Sequence, residues 1–237
     1  MIQGSVYLVI GGNSSLGKAI VDRLLFKGAK IAFCDNPDGD INIFGDDKII
    51  FLPLNILEDK EVLTVLDMIQ QKFGRLDGII NCVDVQANER VYNFQSRKPH
   101  DLENFTKIIS ANTVGPFNVI RLALRLIGKN SPNKNGERGV IVNICVNYSG
   151  EAGRCAYIAS KAALIGVTLS LDQELRSKRI RVVSIPDGAS SNSADSNLTN
   201  FFLNQSINER RSCSPRDVAN FVTLIIETPS LRSNVCK

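Results

Sequence analysis

One histidine, no Cys-x-x-Cys pair, no long apolar run and no strong charge of either sign narrow the chain before any motif is sought. A Ser-His-Asp hydrolase has only His100 to draw on, which follows Pro99 in a polar stretch, and no Gly-x-Ser-x-Gly elbow occurs anywhere. Cys34, Cys82, Cys145, Cys155, Cys213 and Cys236 are scattered singly, several within apolar strand-like runs. They read as buried free thiols of a reducing compartment, against a disulfide framework or a metal site. No apolar segment approaches the length of a membrane span, and the chain enters its first strand almost directly after Met1, which leaves no cleavable leader. The net charge of +4 is mild, and its densest basic run, residues 176–181, lies at a helix end where cations are favoured anyway. Nothing here argues for nucleic-acid contact.

What is present is the composition of one globular domain: 237 residues, 43% hydrophobic and 22% charged. Val6–Ile10 is a short apolar run followed at once by Gly11-Gly12-Asn13-Ser14-Ser15-Leu16-Gly17 and a helical pattern over 18–26. A buried strand, a glycine turn and a helix N-terminus in that order make a phosphate cradle, because unpaired amides and the helix dipole point at an anion. A second strand, 28–35, ends in Asp35, 18 residues beyond Gly17, where an acid can bind the ribose hydroxyls of NAD. No Lys or Arg follows Asp35 directly, so a 2′-phosphate would meet only repulsion; NAD is favoured over NADP.

The alternation continues through the chain. Strands are predicted at 48–53, 77–82, 139–145 and 180–185; helices at 62–73, 102–130, 155–177 and 215–227. The second helix should break near Gly115-Pro116, where Pro116 removes an amide donor. Residues 87–101 read as a long loop, and the polar segment 190–200 reads either as a lid over a crevice or as an ordinary surface loop. Strands separated by helices predict a single Rossmann-like, doubly wound parallel sheet with helices on both faces, spanning 1–237 as one domain.

Tyr157 and Lys161 stand four residues apart near the start of a helix, on one face and a turn from each other. A phenol beside an ammonium is shifted toward phenolate and becomes usable as a proton donor and acceptor. Taken alone, such a pair is more often a snorkelling surface pair than a catalytic one.

With this order on the page, the chain resembles the short-chain dehydrogenases/reductases, and within them the type 2 3-hydroxyacyl-CoA dehydrogenases, also called type 10 17β-hydroxysteroid dehydrogenases. The resemblance runs from about Gly4 to Ser230, and its most specific stretches are residues 92–100, 115–122, 136–143 and 156–169. It implies hydride transfer between NAD and the carbinol carbon of a small-molecule substrate, a 3-hydroxyacyl-CoA or a hydroxysteroid. Tyr157 would take the hydroxyl proton, Lys161 would lower its pKa and hold the nicotinamide ribose, and Asn112 would anchor a water in the proton relay. Gly11, Ser14, Leu16, Gly17, Asp35, Asn55, Ile56, Asn81 and Cys82 fall at cofactor-binding positions, together with Tyr157 and Lys161. Asn112 also reads as a helix-break residue, Cys82 as a small core residue and Asp35 as a solvated turn acid. The resemblance further implies a homo-oligomer, tetrameric by analogy, in the mitochondrial matrix, with the cytoplasm as the alternative.

The departures from the family pattern are several. Ile10 stands for the first-turn Thr, and Ser15 for the middle glycine, which adds a Cβ where the backbone should approach the cofactor. Asn81-Cys82-Val83-Asp84 replaces Asn-Ala-Ala-Gly and brings a carboxylate near the dinucleotide phosphates. Asn55 replaces the adenine-binding acid, and Asp187-Gly188 replaces Pro-Gly. The catalytic Ser is missing, with Ile144, Cys145 and Val146 in its neighbourhood; Cys145 is a weak stand-in because a thiol donates poorly. The end at Ser233 to Lys237 leaves the last strand shortened or incomplete. These losses define the alternative function, a structural subunit keeping the fold without the chemistry, as in mitochondrial tRNA processing with protein partners.

Overall fold

The computed structural model describes residues 2–35, 47–145, 152–186 and 214–232. Its strands are β1 (Val6–Ile10), β2 (Lys30–Asp35), β3 (Ile49–Pro53), β4 (Gly78–Asn81), β5 (Tyr92–Asn93), β6 (Lys98–Pro99), β7 (Gly139–Cys145) and β8 (Ile180–Pro186). Its α-helices are α1 (Ser15–Phe26), α2 (Asp59–Phe73), α3 (Leu102–Ile109), α4 (Gly115–Ile127), α5 (Cys155–Leu175) and α6 (Pro215–Glu227). Six strands form one parallel sheet in the order β3-β2-β1-β4-β7-β8.

All five residues of β1 are buried because the strand is central and covered on both faces. Its alternation sends Val6, Leu8 and Ile10 into one core layer with Leu66 and Ile69 of α2, Ile120 of α4 and Leu171 of α5. Tyr7 and Val9 enter the opposite layer with Ile20 and Leu24 of α1 and Val222 and Ile225 of α6. The sheet is therefore doubly wound, and the order reverses between β1 and β4, which opens a crevice at the strand C-termini.

Three expectations change. Residues 102–127 do not break at Gly115-Pro116: a π-helical turn, Ser110–Val114, joins α3 to α4. Pro116 sits in the first turn of α4, and the Gly115 N–H still reaches the Ser110 carbonyl, so the missing proline donor interrupts nothing. Residues 87–101 are not all loop, since Tyr92 pairs with Pro99 and Asn93 with Lys98 in a two-stranded antiparallel ribbon. Strands of two residues carry no readable period. Finally, Cys155–Lys178 is long and apolar enough to span a membrane by length and composition, at mean hydropathy 1.3. Its buried face packs in the core and carries Tyr157, Lys161 and Asp172.

Arg181 on β8 is fully buried; its Nε donates to Glu137 Oε1 at 2.8 Å and its NH1 to the Leu231 carbonyl at 2.8 Å. The segments holding 190–200, Asp187-Gly188 and the C-terminal 233–237 lie outside the described residues, and the expectations made for them go with them.

Candidate active site

The glycine turn after β1 is fixed by contacts that leave no room for side chains. Gly11 has φ +77°, and a Cβ there would lie 2.9 Å from the Cys82 carbonyl oxygen. A Cβ on Gly17 would lie 2.2 Å from the Gly11 carbonyl oxygen, so α1 can pack against the turn only with glycine at that position. Ser14 caps α1: its hydroxyl accepts from the Gly17 N–H at 3.0 Å and donates to the Gly11 carbonyl at 2.8 Å. No acid stands in the first turn of α1, so the positive end of the helix dipole is uncompensated there. Ser15 is exposed and does not border the crevice, so its Cβ takes no space from it.

A cleft of about 830 Å³ opens at the point where the strand order reverses. Gly11, Ser14, Asp35, Asn55, Ile56 and Cys82, all expected at a cofactor, border it. Asp35 Oδ2 accepts the Asn13 N–H at 2.9 Å, which ties the end of β2 to the glycine turn. Asn55 Oδ1 accepts from the Leu57 N–H at 3.1 Å. Cys82 is buried, and that burial pushes its thiol up to about 12. Five expected residues do not border the cleft, two of them Tyr157 and Lys161. Gly17 and Leu16 act behind the turn, and Asn81 is a buried core amide that donates to Asn143 Oδ1.

Tyr157 and Lys161 are 0% and 1% exposed, which excludes the surface-pair reading. Neither borders the cleft. Asp84 stands between them and it: Tyr157 donates its hydroxyl to Asp84 Oδ1 at 2.8 Å, and Lys161 Nζ lies 3.0 Å from the same oxygen. Lys161 also donates to the Val83 carbonyl at 2.8 Å. The Tyr157 phenol is consequently pushed up, first by burial and then by the Asp84 carboxylate, which penalises phenolate. The net lowering of the phenol expected from Lys161 is not reached here, because the ammonium is paired with Asp84. Asp84 borders the cleft where the dinucleotide is expected, and turns its Oδ1 to the Tyr-Lys pair.

Asn112, placed on the π-helical turn and fully buried, has its side chain engaged by protein partners. Its Oδ1 accepts from the Val85 N–H at 2.9 Å, and its Nδ2 donates to the Val85 carbonyl at 2.8 Å and to Ser160 Oγ at 3.0 Å. It does not serve as a local helix-break residue, for its partners lie far off in sequence. Cys145 is 0% exposed at the end of β7, with its thiol pushed up to about 12 by burial. It does not border the cleft and stays a neutral, poor donor. Asp84, Gln86, Arg154 and Ser160 were not assigned roles at the pair from sequence; the glycine-to-Asp84 departure was the one visible signal. His100 belongs to the β5–β6 end, where Nδ1 lies 2.8 Å from the Asp101 carbonyl oxygen.

The model of the short chain dehydrogenase family matches residues 5–200. The chain belongs to that family. Among curated relatives of this short-chain dehydrogenase, 3-hydroxyacyl-CoA dehydrogenase type-2 of Drosophila melanogaster is 38% identical over 246 residues, covering 100% of this chain and 96% of the relative. The Homo sapiens protein of the same name is 33% identical, covering 100% and 94%. Ipsdienol dehydrogenase of Ips pini is 34% identical, covering 98% and 94%. A crystal structure of 3-hydroxyacyl-CoA dehydrogenase type-2 from Mycobacterium avium superposes with TM-score 0.78 at 24% identity, covering 97% of this chain and 92% of that one, which supports the fold.

The short-chain dehydrogenase fold implies a nicotinamide dinucleotide, and the fit of the cleft to one divides in two. The Gly11 turn, the Ser14-capped helix end, Asp35 and Asn55 suit the adenosine and pyrophosphate half. At the other half the Asp84 carboxylate holds Tyr157 and Lys161.

Proposed function

We propose that this chain is an NAD-dependent oxidoreductase that interconverts a hydroxyl and a ketone on a 3-hydroxyacyl-CoA or hydroxysteroid-type substrate, at a reduced rate. The observation that carries this reading is the burial of Tyr157 and Lys161 together behind Asp84, which borders the cleft beside the Gly11 turn, with Ser160 joining the pair to Asn112. The curated relatives named 3-hydroxyacyl-CoA dehydrogenase type-2 support the substrate class. Asp35, without a following Lys or Arg, supports NAD over its 2′-phosphorylated form. NAD supplies the hydride acceptor; Ser14, Asp35, Asn55 and Ile56 would hold it, and Tyr157 would move the hydroxyl proton at its phenol oxygen. The reduced rate follows from Asp84 raising the phenol and from Cys145 in place of a hydroxyl donor. Loss of one such donor slows comparable reactions by about 10²- to 10³-fold. A homo-oligomeric state and a mitochondrial-matrix location belong to the same reading.

A second reading, a non-catalytic structural subunit with protein partners such as those of tRNA processing, is favoured by the Asp84 contacts. One experiment separates the two: an NADH fluorescence titration followed by acetoacetyl-CoA reduction with the wild type and Tyr157→Phe. Binding with Tyr157-dependent turnover supports the oxidoreductase. No NADH binding at saturating concentrations refutes it in favour of the structural reading.

A further inference from the structure

Four side chains converge on the four residues that follow Cys82. Lys161 holds the Val83 carbonyl and the Asp84 carboxylate; Tyr157 donates to the same carboxylate oxygen; and Asn112 grips both backbone groups of Val85. Gln86 donates to the other Asp84 oxygen, while its Oε1 accepts from Arg154 at 3.1 Å. Arg154 in turn lies 4.6 Å over the Tyr157 ring. The residues to which family resemblance assigns the chemistry are thus engaged in holding down residues 83–86. Asp84 alone among the pair and its partner borders the cleft, with about a third of its side chain exposed (34%).

We propose that Asp84 is a positioning residue of this site, the built-in acceptor of the Tyr157–Lys161 pair, which occupies the hydrogen-bonding places a substrate oxygen and a ribose hydroxyl need and keeps the phenol protonated until it is displaced. The inference rests on the oxidoreductase reading for its catalytic consequence, but its central claim is measurable with no ligand present.

The charges around Tyr157 decide the sign. Asp84 disfavours phenolate, whereas Arg154 over the ring and Lys161, 5.5 Å from the ring centroid, favour it. The Cys145 thiol from β7 is neutral across the working range. Asp84 is hydrogen-bonded to the phenol directly while Arg154 and Lys161 act through the ring face, so the carboxylate outweighs them. Neutralising it removes the charge that disfavours phenolate and leaves two cations beside the phenol, which becomes more acidic.

The test titrates the tyrosinate absorbance of the full chain, with Tyr157→Phe subtracted, for the wild type, Asp84→Asn, Asp84→Ala and Asp84→Glu. In Asp84→Asn the step belonging to Tyr157 is expected to move down by about 1 pH unit or more. Oxidation of 3-hydroxybutyryl-CoA by NAD near neutrality, the direction in which the phenolate accepts the hydroxyl proton, should rise by about ten-fold in kcat with the phenolate fraction, and NADH should bind more tightly. Asp84→Glu, which keeps the charge, should return the step toward its wild-type position. Should Asp84→Asn fail to fold, Asp84→Ala carries the same measurement. A Tyr157 step that stays at the wild-type pH in both neutral variants overturns the proposal, as does Asp84→Glu behaving like Asp84→Asn. If the step moves as expected but no variant binds NADH, the Asp84 assignment stands and the oxidoreductase reading falls.

Discussion

Replacing Gly17 with Ala tests whether the glycine turn and α1 form one rigid cradle. The new Cβ would lie 2.2 Å from the Gly11 carbonyl oxygen, 2.7 Å from Gly12 Cα and 2.9 Å from the Gly12 carbonyl carbon. An ordinary contact needs about 3.5 Å, so something must move by more than an ångström. The obstacles are backbone atoms, and they are anchored. The Gly11 and Gly12 N–H groups both donate to the Cys34 carbonyl, at 2.8 and 3.1 Å, and Ser14 holds the Gly11 carbonyl. Relief therefore requires α1 to tilt off the turn, breaking the Ser14 cap with it. Overpacking of this kind costs about 1–3 kcal/mol, and rigid obstacles place the expectation near about 3 kcal/mol. For a chain of this size that lowers the melting temperature by about 6–12 °C. Gly166→Ala is the matched control: it lies in α5 with nothing within 4 Å of the added Cβ, and Ala there should stabilise by about 0.5–1 kcal/mol. Thermal melts followed by circular dichroism, with an NADH titration on each protein, read both effects. A Gly17→Ala protein that melts and binds like the wild type refutes the rigid cradle.

Two more outcomes follow from burial. Among the described cysteines, Cys155 is exposed while Cys34, Cys82 and Cys145 are buried with their thiols pushed up; brief iodoacetamide treatment of the native chain should label Cys155 ahead of the other three, as peptide mass spectrometry would show. Arg181→Met leaves the Glu137 carboxylate without its buried partner and should destabilise by about 3–5 kcal/mol, whereas Arg181→Met with Glu137→Leu should recover most of that loss in a denaturant melt. An equal loss in the single and double variants would mean that packing, not the stranded charge, sets the cost.

Much of the fold was legible in the sequence because it is written locally. Short continuous apolar runs, a helical stripe ending at Gly74 and the Pro215 start of α6 each state an element within a few residues. The β5–β6 ribbon was not legible, since pairs of residues have no period, and the π-helical turn was not, since it looks like ordinary helix with a proline. For the site, the helix spacing put Tyr157 and Lys161 on one face, and the turn order put Gly11, Ser14 and Gly17 in one cradle.

The sequence by itself determined the dehydrogenase ancestry, the succession of strands and helices along the chain and the identities of the reactive side chains, because short-range periodicity and motif spacing encode them. Only the tertiary structure decided what those side chains touch. Asp84 meets Tyr157 across 73 residues of chain, Lys161 reaches Val83 across 78, and Asn112 reaches Ser160 across 48. A carboxylate in place of a glycine shows in the sequence as a change of residue. That it matches the charge of the ammonium and raises the phenol follows from its position within hydrogen-bonding distance of both.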